Sequence, residues 1–219
     1  MKQMTLKNIA KAINGKMYNC QETLEVQGVV TDSRQIEKDF LFLAIKGERV
    51  DGHKFIPQVI EAGAAAVVCE AAPEGNVPYI LVDDVLTALR DMAEFYRSTL
   101  DIPMIGITGS VGKTSTKECI ASVLNNEIGV PLTLLKIRDH HEVAVLEMGI
   151  NHFGEMHRLS KMVKPDIVVM TNIGQCHLEF LGSRDGILQA KSEIFDYLQE
   201  EGTVILNGDD DKLSTIEHV

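Results

Sequence analysis

The run Ile105-Gly-Ile-Thr-Gly-Ser-Val-Gly-Lys-Thr-Ser115 has the residue types of a phosphate cradle: an apolar strand, a glycine-rich turn, then Lys113 and two hydroxyls opening a helix. Around Ser110, the residues Gly109 and Gly112 let backbone amides turn toward phosphate oxygens, and the helix start adds its positive end. Lys113 neutralises phosphate charge, and Thr114 or Ser115 can ligate magnesium. The pattern GxxxxGK[ST] wants glycine at position 107, where this chain has Ile107; the shorter form GxxGK[ST] stands here instead. A glycine-rich turn that binds nothing is the bland alternative, and the order strand, turn, lysine, helix argues against it. The nucleotide implied is ATP or GTP.

Other residues offer chemistry around that loop. Glu147 ends the apolar run from Val143 to Leu146, so its carboxylate emerges at the same sheet edge as Lys113, as a magnesium ligand or as a solvated strand-end acid. His177 follows a strand in TNIGQCHLEFLGS; an isolated loop histidine is more often a hydrogen-bonding residue than a ligand, and magnesium prefers oxygen. Asn172 either orients a ligand or closes a turn. Lys191 lies about two turns into a helix that Ser183 caps, where a lysine is usually a solvated charge. Near metal and other cations it can lose its proton and become available for carbamate formation. Earlier in the chain, Thr31-Asp-Ser-Arg34, Lys46-Gly47 and Asp51-Gly52-His53 are polar turns, open to a ligand or explained by turn chemistry alone.

These groups need elements to position them. Leu6, Ile9, Ala10 and Ile13 share a helix face, with Thr5 as N-cap and Gly15 as the stop. Short strands over 28–31, 40–45, 65–69 and 79–82 follow, with a helix over 53–62 and another that Asp84 caps. That is a mixed α/β domain ending near Ser98, joined by a linker over 99–103. Strict alternation begins there: strand 104–108, helix 113–124, strand 143–148, helix 154–163, strand 167–171, helix 184–198, strand 203–207. The fold class expected is therefore α/β, a small mixed N-terminal domain over 1–98 before a P-loop-type central domain over 103–219, its mainly parallel sheet covered by helices. Ligands in such sheets sit beyond the strands' carboxyl ends, where TGSVGKTS, Glu147 and TNIGQCH would converge. Leu124 meets Asn125 with almost no connection and no intervening strand, so residues are expected to be missing there, and the C-terminus is expected to be incomplete.

The 21 basic and 32 acidic residues give a charge of -11, which argues against a nucleic-acid surface, as does the absence of tryptophan. No apolar run approaches the roughly 20 residues that span a bilayer, and MKQMTLKNIAKAING is too polar for a signal segment. Cys20, Cys69, Cys119 and Cys176 are scattered without ligand spacing, which suits reduced thiols in a cytoplasmic protein and does not indicate zinc.

Taken together, TDSR, AIKGERVDGHKFI, TGSVGKTSTKE, NNEIGVPLTLL, LEMGINHFGEM, TNIGQCHLEFLGS and AKSEIF closely resemble the Mur ligases of bacterial cell-wall synthesis. The resemblance implies an N-terminal domain that holds a UDP-linked precursor, a central ATPase domain, and a C-terminal domain that this chain lacks, so that this chain alone would be inactive. NNEIG and EMGIN point toward the member that adds D-alanyl-D-alanine to UDP-N-acetylmuramoyl-tripeptide through an acyl phosphate. By the same resemblance Gly109, Ser110, Gly112, Lys113, Thr114 and Ser115 form the ATP loop, with Lys113, His177 and Lys191 catalytic. Thr114, Glu147, His177 and a carbamylated Lys191 would hold magnesium. Ser33 and Arg34 would meet the uridine nucleotide and Asn125 and Asn126 the acyl substrate, with Lys46 a further substrate-binding residue. The implied protein is a cytoplasmic monomer whose partners are small molecules. Its rivals are another Mur-type ligase, a P-loop kinase or NTPase that forms no amide, and a nucleotide-binding module without activity.

Overall fold

The computed structural model describes residues 1, 3–47, 50–113 and 128–217. The expected helix beyond Lys113 and the junction Leu124–Asn125 lie outside the described residues, as do Thr114, Ser115, Asn126 and Cys119. Two compact units divide the chain: Met1–Thr99 with Leu134–Arg138, and Leu100–Thr133 with Asp139–Val219.

In the first unit Thr5 caps helix α1 (Leu6–Ala12) by accepting from the Asn8 amide, and Leu6, Ile9 and Ala10 are buried. The stop comes one residue before the expected glycine: Asn14 takes the left-handed conformation at φ 50°. Strands β1 (Lys16–Tyr18), β2 (Gly28–Val30), β3 (Phe40–Leu43), β4 (Ala66–Cys69) and β5 (Tyr79–Leu81) form one sheet in the order β1-β5-β4-β3-β2. All neighbours are parallel except β1, which pairs antiparallel with β5.

Register puts Val30, Phe42 and Val67 side by side, and this face packs with Ala44 and Cys69 against Ile56 and Val59 of helix α2 (Ile56–Glu61). The alternate residues Leu41, Leu43, Val68 and Ile80 are equally buried, which requires cover on the other face as well. Helix α3 (Val85–Arg97) begins at Asp84, whose carboxylate accepts from the Thr87 amide, and buries Val85, Leu89, Met92 and Tyr96. The Tyr96 hydroxyl donates to the Ile137 carbonyl, tying the Leu134–Arg138 segment into this unit.

In the second unit β6 (Met104–Thr108), β7 (Ala144–Glu147), β8 (Ile167–Met170) and β9 (Thr203–Leu206) form a parallel sheet in the order β7-β6-β8-β9. The chain leaves β6 toward β7, returns past it to β8, and then continues outward to β9. Adjacent strands β6 and β8 thus send their connections in opposite directions, which opens a crevice at their carboxyl ends. The short helix α4 (Gly129–Leu134) was not expected; Pro131 is tolerated there because its first-turn amide has no intrahelical partner to lose.

Helix α5 (Glu155–Val163) precedes β8, and helices α6 (Leu178–Leu181) and α7 (Arg184–Ser192) precede β9. The expected helix over 184–198 ends as an α-helix at Ser192 and tightens to a 3-10 turn over Glu193–Tyr197. The reason is long-range: Glu193 accepts from the Gly154 and His157 amides at the start of α5, and the Ser160 hydroxyl donates to the Ile194 carbonyl. Among the described residues no helix is long and apolar enough to cross a membrane. Cys20, Cys69 and Cys176 are free thiols.

Candidate active site

The exit of β6 turns sharply at Gly109, with φ 146°, and again at Gly112, with φ 84°. A Cβ at Gly109 would collide with the Thr171 hydroxyl, so only glycine makes this turn. Lys113 folds back and donates from Nζ to the Gly109 carbonyl at 2.8 Å. Lys191, near the end of α7, donates to the same carbonyl at 3.1 Å. Two ammonium groups therefore converge on one acceptor at the base of the loop.

Lys191 is not the solvated helix charge of the bland reading: it is 2 % exposed. Burial lowers its pKa from 10.5 to about 8; the nearby Cys176 sulfur raises it and the Lys113 ammonium lowers it further. Cys176 itself points its thiol at the Ser110 hydroxyl, 3.0 Å away, which also accepts from the Gly174 amide at 2.8 Å. The Thr108 hydroxyl, at the last position of β6, is buried with no hydrogen-bond partner among the described residues.

Glu147 lies beside this loop. It is opposite Ile107 in the β6–β7 ladder, and the Met148 amide donates to the Ile107 carbonyl at 2.8 Å. Its residue is 3 % exposed, so it too departs from the solvated alternative. A buried carboxylate at the strand end adjoining a phosphate loop suits a hard cation that brings its own phosphate and water oxygens. His177, by contrast, is exposed and holds a left-handed conformation, φ 57°, at the start of α6. Among the described residues no group of three His, Cys, Asp or Glu side chains forms a ready-made metal cluster.

The loop after β8 braces the phosphate loop. Asn172 Oδ1 accepts from the Ser110 amide at 3.1 Å and the Val111 amide at 2.8 Å, and the Thr171 hydroxyl donates to the Val111 carbonyl. A second tier holds that brace: Asp210 accepts from the Ile173 amide, Asn207 donates to the Thr171 carbonyl, and Arg184 Nε donates to the Ile173 carbonyl. Asn207, Asp210 and Arg184 were missed in the sequence reading. The one available signal was that Asn207-Gly-Asp-Asp210 follows β9 at the same sheet edge as the other polar strand ends.

In the first unit Ser33 is buried in a 3-10 turn capped by Asp32. The Arg34 guanidinium is exposed and paired with the Asp32 carboxylate at 2.6 Å, which holds that carboxyl down to about 2. Lys46 pairs with Asp51 through an isolated antiparallel backbone bridge and lines a cavity of about 600 Å³ with His53, Lys54 and Glu70, separate from Ser33 and Arg34 in its lining. His53 Nε2 accepts from the Glu70 amide, so Nδ1 bears the ring hydrogen and donates to Asp51 at 2.8 Å. Glu70 in turn accepts from the Val85 amide, linking the Lys46 loop to the start of α3. The structure thus gathers Gly109, Ser110, Gly112, Lys113, Lys191 and the Glu147 strand end in the second unit. Ser33, Arg34 and Lys46 belong to the first.

Known proteins provide an independent measure of this arrangement. A model described as Mur ligase middle domain matches residues 107–218, and one described as Mur ligase family, catalytic domain, matches residues 25–97. The UDP-N-acetylmuramoyl-tripeptide–D-alanyl-D-alanine ligase of Bacillus subtilis is 45 % identical, over 96 % of this chain and 50 % of its own. A crystal structure of MurF from Acinetobacter baumannii matches with a TM-score of 0.86 at 36 % identity, covering 94 % of this chain and 49 % of that one. The MurF ligase of Thermotoga maritima, solved in complex with ADP, matches with a TM-score of 0.75 at 31 % identity, covering 86 % of this chain and 47 % of that one. The chain spans about half the length of the curated relatives it matches. With both family models met in the order of its two compact units, and with the same backbone course in solved relatives, the chain belongs to the Mur ligase family.

Proposed function

We propose that the protein joins D-alanyl-D-alanine to UDP-N-acetylmuramoyl-tripeptide at the expense of ATP, as a cytoplasmic monomer in peptidoglycan precursor synthesis. Relatives that bear the name of this ligase support the reading, and one of them is a complex with ADP. The observation that carries it is the juxtaposition of the Gly109–Lys113 loop with the buried Glu147 carboxylate across the β6–β7 ladder.

The chemistry asks for charge control more than for a protein nucleophile. A carboxylate is a poor electrophile, so the precursor's terminal carboxylate first attacks the γ-phosphorus of ATP. The bond to the bridging oxygen breaks with its electron pair, ADP departs, and an acyl phosphate remains. The amine of D-alanyl-D-alanine then attacks the acyl carbon, phosphate leaves, and the amine gives up a proton. Lys113 and the loop amides offset the negative charge of the triphosphate, and the cradle holds it in line with the carboxylate.

Glu147, with the Thr114 hydroxyl, would hold magnesium, and His177 would serve a second ion. Magnesium supplies charge neutralisation on the β- and γ-phosphates when bound. Lys191 is suited to carbamylation, because an amine with a pKa of about 8 presents far more free base at neutral pH than an ordinary lysine. Once the ammonium has lost a proton, its nitrogen lone pair adds to carbon dioxide: an N–C bond forms as one C–O π bond opens onto oxygen, a second proton leaves the nitrogen, and a buried cation beside Lys113 becomes an anion. That exchange replaces repulsion with attraction and adds an oxygen ligand for the metal. Ser33 and Arg34 would meet the uridine nucleotide and Asn125 and Asn126 the peptide carboxylate, with Lys46 a further substrate-binding residue.

The test is a ligation assay on the complete gene product, following labelled D-alanyl-D-alanine into the UDP-linked peptide. ADP release should require both the tripeptide precursor and the dipeptide; release without the dipeptide would favour an NTPase or kinase. Lys113→Ala should abolish ligation while the fold persists, since Lys191 still donates to the Gly109 carbonyl. Near-normal turnover by that variant would refute the assignment.

A further inference from the structure

We infer that Asn172 is a positioning residue of the phosphate loop, the uncharged acceptor that pins the Ser110–Val111 backbone and thereby fixes the loop that follows, from Gly112 onward, for a triphosphate; this rests on the ATP-site reading above. A loop containing Gly109 and Gly112, both at positive φ, has more backbone freedom than one without glycine, and that freedom has to be removed before the loop can form a fixed cradle. Asn172 removes it. Its Oδ1 accepts from both amides, at 3.1 and 2.8 Å, and its backbone carbonyl accepts from Ser110 as well, at 3.0 Å. Two N–H donors on one atom require that atom to be the amide oxygen, which fixes the side-chain orientation.

The brace is itself rigid. Its neighbours Thr171 and Ile173 are held by Asn207, Arg184 and the Asp210 carboxylate, so the carboxyl ends of β8 and β9 together set the curvature of a loop that leaves β6. The chemistry of the side chain matters as much as its reach. Aspartate has the same shape and would accept from the same two amides, yet it would set a negative charge beside the phosphates. An amide gives the acceptor without the charge, which is what an anion cradle needs.

Two variants of the complete gene product test this, with ADP binding measured by calorimetry and ligation kinetics measured alongside. Asn172→Ala should weaken ADP about tenfold and raise KM for ATP by a similar factor, from the loss of two side-chain hydrogen bonds that order the loop. At saturating ATP its kcat, and its KM for the UDP-linked precursor, should stay within about twofold of wild type. Asn172→Asp should keep the thermal midpoint of the wild type and bind ADP at least as poorly as the alanine variant. Unchanged ADP affinity in Asn172→Ala would overturn the role, as would equal losses in every kinetic parameter together with a collapsed thermal midpoint. Wild-type ADP binding by Asn172→Asp would overturn the requirement for a neutral acceptor. A wild-type protein that binds ADP but forms no amide would sink the ligase reading and leave the role of Asn172 intact.

Discussion

Replacing Lys191 with methionine should stabilise the metal-free protein at neutral pH and lose that advantage as the pH rises. The amine is 2 % exposed and titrates at about 8 in the folded chain, against 10.5 for an ordinary lysine. At about 1.4 kcal/mol per pH unit, holding its proton in the folded state costs about 3 kcal/mol. Methionine fills the same unbranched volume without charge, and the Gly109 carbonyl is not orphaned because Lys113 still donates to it at 2.8 Å. The folded value is depressed, so between about 8 and 10.5 the unfolded chain binds the more protons and wild-type stability climbs with pH across that window. Below about 8 the full penalty applies, and above 10.5 neither state is charged. The difference between Lys191→Met and wild type should therefore be largest at pH 7, up to about 3 kcal/mol, and shrink toward zero by pH 10.5. Urea unfolding of both proteins, followed by circular dichroism in carbon dioxide-depleted, magnesium-free buffer at pH 7, 8, 9 and 10, measures it. A variant no more stable than wild type at pH 7, or a difference that ignores pH, would refute the reasoning that Lys191 is a buried cation.

Gly109→Ala should cost about 2 kcal/mol or more and abolish ADP binding, because φ 146° excludes a side chain and the new Cβ would strike the Thr171 hydroxyl; a variant with wild-type thermal midpoint and ADP affinity would contradict this. Glu193→Ala should destabilise by about 1–2 kcal/mol through loss of the carboxylate that accepts from the Gly154 and His157 amides. Glu193→Gln, which keeps an acceptor, should lose less in the same urea titration; equal losses would show that the cap is not the cause.

What could be read from the sequence was what neighbours in the chain decide. Thr5, Asp84 and Ser183 were legible as caps because each side chain reaches an amide only three residues ahead. The phosphate loop was legible for the same reason: the Gly109–Lys113 turn is a local conformation of residues with special backbone and charge. Strand β1 was not, since three residues with two exposed carry no period to detect. The α-helix beginning at Arg184 stops at Ser192 because Glu193 reaches a helix start 39 residues away, and no window on the sequence contains both ends of that contact. Lys191 is the sharpest instance. Its type and its place on a helix favoured a solvated charge, and its reversal depends on a carbonyl 82 residues upstream that leaves β6 just where α7 packs. Glu147 stands between the two cases: its position at the end of an apolar strand was visible, whereas its burial requires β7 to lie against β6. That neighbourhood follows from the strand order β7-β6-β8-β9, set by which crossover turns which way, and it makes a strand-end acid into a candidate metal ligand.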